Sequence, residues 1–392
     1  MKNFIYNTPT KVFFGKKQEE NLGQILKDYN ITKILLHYGK SSIHKSGLYQ
    51  KITTILKENK ISYVELGGVE PNPKLSLVLK GVELAKKEKV ELILAVGGGS
   101  VIDSAKSIAV GACVDHSPWL FSIKKEIPTK HIPVGVILTL SAAGSDMSNS
   151  CVITNDETLE KRGFNSEENR PLFAILNPEL TYTVDKYQTG CGIVDILMHT
   201  LERFFSKGEK TPITDNIAIG LMKAVIENGA TAINDPTNYS ARANLMWANS
   251  LSHNGLTSCG RDFLMSVHQI EHEVSGMFDR VAHGAGLSVL WPAWAKIAYK
   301  ADLERFGQFA YEVMGIKKTN NLEEDALKGI KALKQFFKEI GMPTSMKDLE
   351  IDEKHFKELA YNTTFKNTRI LHDIIDVDEQ VAYKILLETN IE

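Results

Sequence analysis

Three histidines, His268, His272 and His283, fall within the stretch HQIEHEVSGMFDRVAH of a chain that holds eleven in 392 residues. His268 and His272 are four apart and would share one face of a helix. Earlier in the chain, GIVDILMHTLERFF carries Asp195 and His199, also four apart, in a run otherwise apolar from Ile193 to Leu201. An aspartate inside such a helix is costly unless it is paired or bound to a cation. One carboxylate with several imidazoles suits Zn²⁺ or Fe²⁺ and is a poor set for Mg²⁺ or Ca²⁺, which prefer oxygen. Taken alone, an Asp–His hydrogen bond in a core explains Asp195 and His199 equally well. His268, Glu271 and His272 also match H-x-x-E-H, a zinc-protease pattern in which Glu271 would be the general base. That reading leaves Asp195, His199 and the glycine loops without a role.

The second chemistry-bearing feature is a phosphate-sized turn. Glu91–Val96 (ELILAV) reads as a buried strand running into Gly97, Gly98, Gly99 and Ser100, after which Val101–Ala109 continues as a helix. Glycines let a backbone approach an anion, and a helix N-terminus offers N–H groups and partial positive charge to it. A tight strand–helix turn without a ligand is the plain alternative. The strict G-x-G-x-x-G fingerprint is absent, because Ile102 stands at its last glycine, and no G-K-[ST] ends the loop. Two more small-residue loops follow strands: Gly39-Lys40-Ser41-Ser42 and Thr139–Ser145. Three such loops at carboxyl ends of parallel strands favour a nucleotide crevice. The strand ending at Tyr38 carries no acid for a ribose 2′-hydroxyl, whereas Gly39, Lys40 and Ser41 leave room and donors for a 2′-phosphate. The balance leans toward NADP(H) over NAD(H). Asp103, one turn into the helix, reads by itself as a surface ion pair with Lys106.

These residues need elements to hold them. Strand patterns at 33–38, 62–66, 91–96, 132–138 and 172–176 alternate with helical ones, which implies a mostly parallel sheet covered on both faces. Beyond about Tyr182 every patterned segment suits a helix. The expected architecture is a Rossmann-like α/β dinucleotide-binding domain over residues 1–182 and an all-α metal-binding domain over 183–392, with a ligand cleft between them. The 43% apolar and 24% charged composition is ordinary for a globular protein, and a net charge of −2 gives no argument for nucleic acid or an anionic membrane. No apolar run reaches transmembrane length and the first residues lack a signal-peptide core. Cys113, Cys151, Cys191 and Cys259 form no C-x-x-C pair, which fits a reducing cytoplasm.

The motifs KVFFG (11–15), LLHYGKSSIHKSGLY (35–49), EPNP (70–73), AVGGGSVIDSAK (95–106), TLSAAGSDMS (139–148), EKRGF (160–164) and NPELTYT (177–183), with Asp195, His199, His268 and His283-Gly284, together resemble one family. It is the iron-containing, or group III, metal-dependent alcohol dehydrogenases, nearest to the butanol dehydrogenase and NADPH-dependent aldehyde reductase branch. The resemblance implies a dehydroquinate synthase-like architecture, a homodimer, and interconversion of primary alcohols and aldehydes by hydride transfer with NAD(P)(H). It implies that Asp195, His199, His268 and His283 hold one divalent ion, Fe²⁺ or Zn²⁺. It places His272 near the metal without counting it a ligand, and an imidazole there, able to titrate near neutral pH, is the candidate proton relay. Cofactor contacts fall by the same resemblance on Gly39, Ser41, Gly98, Gly99, Ser100, Asp103, Thr139, Leu140 and Lys161. Lys40 and Ser145 join them by position, and Asp103 would orient the nicotinamide end. A lyase on the same scaffold is the rival within this architecture. Three positions depart from the family's usual loop: Ser141, Ala143 and Asp146 replace proline, threonine and glutamate. Trp247, Phe263, Met265 and Trp291 are plausible pocket walls.

Overall fold

The structure is a computed structural model that describes residues 1–208 and 210–391. Eight strands occupy its first half: β1 (Lys11–Phe14), β2 (Lys33–Tyr38), β3 (Ser62–Leu66), β4 (Leu92–Gly97), β5 (Val134–Leu138), β6 (Ser150–Asn155), β7 (Glu160–Asn165) and β8 (Phe173–Leu176). Six of them build one sheet in the order β1-β8-β5-β4-β2-β3, and every neighbouring pair is parallel. β4, β5 and β8 are buried at every residue, whereas the edge strands β1 and β3 are partly exposed. That is why the central strands read as unbroken aliphatic runs: helices cover both of their faces.

The chain leaves β2 toward β3 on one side and returns to β4 on the other. The order therefore reverses between β2 and β4, and open α/β sheets bind ligands outside the carboxyl ends of strands at such a switch point. In register, Tyr38 faces Val96 and Gly97 faces Leu138, so the loops after β2, β4 and β5 emerge side by side. The sequence reading did not anticipate β1, nor that β6 and β7 form an antiparallel hairpin. Four residues on a sheet edge give too short a pattern to detect, and the hairpin residues are mixed in polarity.

The chain groups into two compact units. One is Asn7–Val184; the other runs from Asp185 onward and includes Met1–Tyr6. The second unit is helical apart from a two-residue ladder between Leu371–His372 and Asp376–Val377. At its centre is the helix Lys186–Phe204, buried almost throughout. It packs on the helices Pro212–Asn234, Tyr239–His253 and His283–Ala298, and the last of these packs on Ser266–Met277. Among the described residues, no helix is long and apolar enough to cross a membrane.

Candidate metal centre and nucleotide loops

Asp195 and His199 sit one turn apart in the buried middle of the helix Lys186–Phe204. His199 Nδ1 donates to the main-chain carbonyl of Asp195 at 2.9 Å, which leaves Nε2 with the lone pair. His268, in the helix Ser266–Met277, is oriented from behind in the same way: its Nδ1 bonds Glu202. His283 opens the helix His283–Ala298, and its Nδ1 bonds Glu271. The Nε2 atoms of His268 and His283 then stand 3.8 and 3.9 Å from Asp195 Oδ1. A tetrahedral ion with ligands at 2.0–2.2 Å sets ligand atoms roughly 3.4 Å apart. Those two contacts are thus about half an ångström longer than in a closed cage, and Asp195, His199 and His268 bring one ligand atom each within 4.8 Å of one another.

Asp195 Oδ1 and His268 Nε2 are both fully buried without a hydrogen-bond partner. Two such atoms facing each other are costly in a protein interior unless something charged joins them. A divalent cation satisfies both, so the residues fit a metal. Electrostatics agrees. Burial drives His199 well below its ordinary pKa of 6.5, helped by His253 and His268, so its imidazole is a neutral donor. Burial also works against a proton on His268, but the Glu202 and Asp195 carboxylates outweigh it and lift His268 to about 9. The pocket therefore favours positive charge beside Asp195. His272 lies outside this set: it is half-buried, its ring 5.6 Å from that of His283, and it groups with Glu271 and His283.

The H-x-x-E-H reading is corrected here. Its general base would have to face an attacking water, but Glu271 is buried and bonded to His283. Glu202 was missed altogether. The available signal was a second carboxylate, one turn beyond His199, in the same apolar helix. Trp291 is a core residue, its ring tilted against Phe205, Trp294 and Phe309, while Trp247 is exposed.

In the first unit, β4 ends at Gly97 and a helix runs Gly99–Gly111. A Cβ on Gly99 would stand 2.9 Å from Ala143 Cβ, and one on Gly98 would stand 3.1 Å from Leu140 Cβ. Their bare backbones let the Thr139–Ser145 loop close over the helix N-terminus; Thr139 N–H donates to Gly97 at 3.1 Å. Gly39 faces the same helix, its missing Cβ 4.0 Å from Val101. The structure thus gathers Gly39, Gly98, Gly99, Ser100, Thr139, Leu140 and Ser145 at one edge of the sheet. Lys40 is exposed and paired with Glu70 at 2.5 Å, and Ser41 is exposed beside it.

Asp103 and Lys106 do not form a surface ion pair: both are buried. Lys106 Nζ donates to the carbonyls of Ser148 and Ser150 at 3.0 and 2.9 Å, and Asp103 accepts from Val152 N–H at 2.9 Å. Together they tie the helix to the loop and to β6. Burial raises the Asp103 pKa, opposed by Lys106, the Val152 N–H, Ser145 and Lys161. Lys161 itself is buried on β7.

A glycine-lined strand–helix turn in one unit and a buried carboxylate–imidazole cluster in the other are features shared with metal-dependent oxidoreductases. The comparisons agree on the family. The sequence model for iron-containing alcohol dehydrogenase matches residues 9–178, and the C-terminal model of the Fe-containing alcohol dehydrogenase family matches 189–386. This chain belongs to the iron-containing alcohol dehydrogenase family, as its motifs suggested. It is 41% identical to NADH-dependent butanol dehydrogenase A of Clostridium acetobutylicum, with 92% of each chain covered. It is 36% identical to the NADPH-dependent aldehyde reductase YqhD of Escherichia coli over 90% of each. The crystal structure of NADH-dependent butanol dehydrogenase A from Thermotoga maritima superposes with a TM-score of 0.95 at 38% identity, covering 99% of both chains.

Proposed function

We propose that this chain interconverts primary alcohols and aldehydes, running chiefly as an NADPH-dependent aldehyde reductase. The observation that carries the reading is the convergence of His268 and His283 on the buried, unpartnered Asp195 Oδ1. Asp195, His199, His268 and His283 hold one divalent ion, Fe²⁺ or Zn²⁺, in the helical domain of residues 183–392. The sheet domain of residues 1–182 takes the dinucleotide. When bound, the ion supplies Lewis acidity at a substrate oxygen and the reduced nicotinamide supplies a hydride. Gly98, Gly99 and Ser100 offer the pyrophosphate their backbone at a helix N-terminus. Thr139, Leu140 and Ser145 line the same edge, Lys161 joins them from β7, and Asp103 orients the nicotinamide end. Gly39, Lys40 and Ser41 leave space and charge for a 2′-phosphate. The Lys40–Glu70 pair is exposed, so opening it costs little. His272, the partly exposed imidazole beside the cluster, carries the proton. Relatives named for NADH and for NADPH stand at 41% and 36% identity, so loop chemistry decides the cofactor preference. Homodimeric assembly and a cytoplasmic location complete the reading.

The test is an anaerobic oxidation screen with NADPH and NADH over aldehydes of increasing length, with elemental analysis of the same sample. The proposal expects one divalent metal per chain and faster turnover with NADPH. Equal or better efficiency with NADH overturns the cofactor preference. Turnover of a substrate without net cofactor consumption favours the lyase.

A further inference from the structure

Resting on the metal reading above, we infer that Glu202 and Glu271 are positioning residues that hold His268 and His283 as metal ligands and strengthen them as donors. Both carboxylates are fully buried, and each meets the Nδ1 side of one imidazole. Neither is among the residues that the family resemblance assigned to the site. A buried carboxylate is costly without strong partners, so each needs a reason to be there.

Glu202 is bound through both of its oxygens. Oε1 takes His268 Nδ1, while Oε2 accepts Val267 N–H at 2.7 Å and His268 N–H at 3.4 Å. The carboxylate thus fixes the ring and the backbone that carries it. The same helix end is pinned by Asp373, which accepts from Ser266 Oγ at 2.8 Å and Ser266 N–H at 3.3 Å. Glu271 lies on the next turn of that helix and reaches across to His283, on a different helix. A Cβ on Gly286 would stand 2.8 Å from Glu271 Cγ, so the bare glycine makes room for this carboxylate.

The chemistry follows from tautomers. A neutral imidazole that donates Nδ1–H to a carboxylate must present its lone pair at Nε2, and the negative partner raises the basicity of that lone pair. His199 Nδ1 instead meets Asp195 of its own helix, the main-chain carbonyl at 2.9 Å and the carboxylate Oδ1 at 3.2 Å. The three imidazoles are therefore held differently: His268 and His283 each have a buried glutamate behind the ring, and His199 does not. With Asp195, the two glutamates surround the pocket with three carboxylates, which favours a divalent over a monovalent cation.

The test is a chelator-competition titration of metal-free protein with Zn²⁺, paired with the visible spectrum of the Co²⁺ form. It compares the unaltered chain, Glu202→Gln, Glu271→Gln and Asp195→Ala, with the thermal midpoint of each metal-free protein as control. The inference expects each glutamine variant to bind Zn²⁺ about 10–100-fold more weakly, the loss typical of removing such a partner. It also expects a shifted Co²⁺ spectrum and a metal-free midpoint close to that of the unaltered chain. Unchanged affinity and spectrum in the glutamine variants overturn it, even where the metal-free midpoint falls. Glu202 also holds a helix end, so if Glu202→Gln fails to fold, Glu271→Gln decides by the same readouts. Two Zn²⁺ per chain also overturn it, since Glu271, His272 and His283 would then form a second site. Equal binding by Asp195→Ala and the unaltered chain instead defeats the metal reading on which the inference rests.

Discussion

Gly284 lies so close to Cys191 that a Cβ built on it would stand 2.1 Å from the Cys191 carbonyl oxygen. The contact is backbone against backbone, between the helix that His283 opens and the helix that carries Asp195. It explains how His283 Nε2 comes within 3.9 Å of Asp195 Oδ1. Here the glycine sets the spacing between two helices. Gly284→Ala must push those helices apart. We expect it to cost about 1–3 kcal/mol of stability, the usual range for overpacking, and to weaken metal retention. Thermal unfolding and metal content check this; full metal occupancy in the variant would show that the approach does not set the site.

Lys40 is the exposed cation at the end of β2, beside Gly39 and the topological switch. Lys40→Ala should raise KM for NADPH about tenfold, the loss of one charge-assisted contact worth roughly 1.4 kcal/mol. The KM for NADH and kcat with either cofactor should stay nearly constant. Steady-state kinetics with both cofactors decide it, and an equal rise for NADH would place Lys40 away from a 2′-phosphate.

His37 is buried in β2, with Nδ1 donating to the Leu66 carbonyl at 2.8 Å and Nε2 at 2.9 Å from Ser104 Oγ. Burial depresses its pKa to about 4, partly countered by the Leu66 hydrogen bond. In the unfolded chain it titrates near 6.5. Its neutral form is therefore fully stabilising above pH 6.5, and that stability is lost as pH falls from 6.5 toward 4. The loss over this window is about 3 kcal/mol. Denaturant titrations across the window should give a shallower slope for His37→Gln than for the unaltered chain; identical slopes would remove His37 as the source.

His272 lies outside the group formed by Asp195, His199 and His268, with its ring 5.6 Å from that of His283. As proton carrier, its replacement in His272→Ala should lower kcat about a hundredfold and change the pH dependence of kcat while leaving bound metal in place. An unchanged kcat across the pH range would end the role.

Much of this was legible in the chain. The aliphatic runs of β4 and β5 declare central parallel strands because both faces are covered. Asp195 and His199 stood out because charged and imidazole side chains are expensive in an apolar helix, and His268 and His283 because three histidines crowd one sixteen-residue stretch. What the sequence hid depends on contacts between segments far apart. Glu202 offers the sequence only a second carboxylate in an apolar helix; its partner, His268, comes from the separate helix Ser266–Met277. Asp103 and Lys106 have the spacing of a surface pair, and their partners at Ser148, Ser150 and Val152 lie more than forty residues further along the chain. The edge strand β1 depends on β8 for its existence, and no local pattern marks it.

The most direct test of the central claim is metal content and turnover in Asp195→Ala, measured on one preparation. The unaltered chain should hold one divalent ion per chain and reduce aldehydes with NADPH. Asp195→Ala should keep its circular dichroism spectrum, hold no ion and lose nearly all turnover. A metal-free Asp195→Ala protein that reduces aldehydes at the full rate would contradict the account.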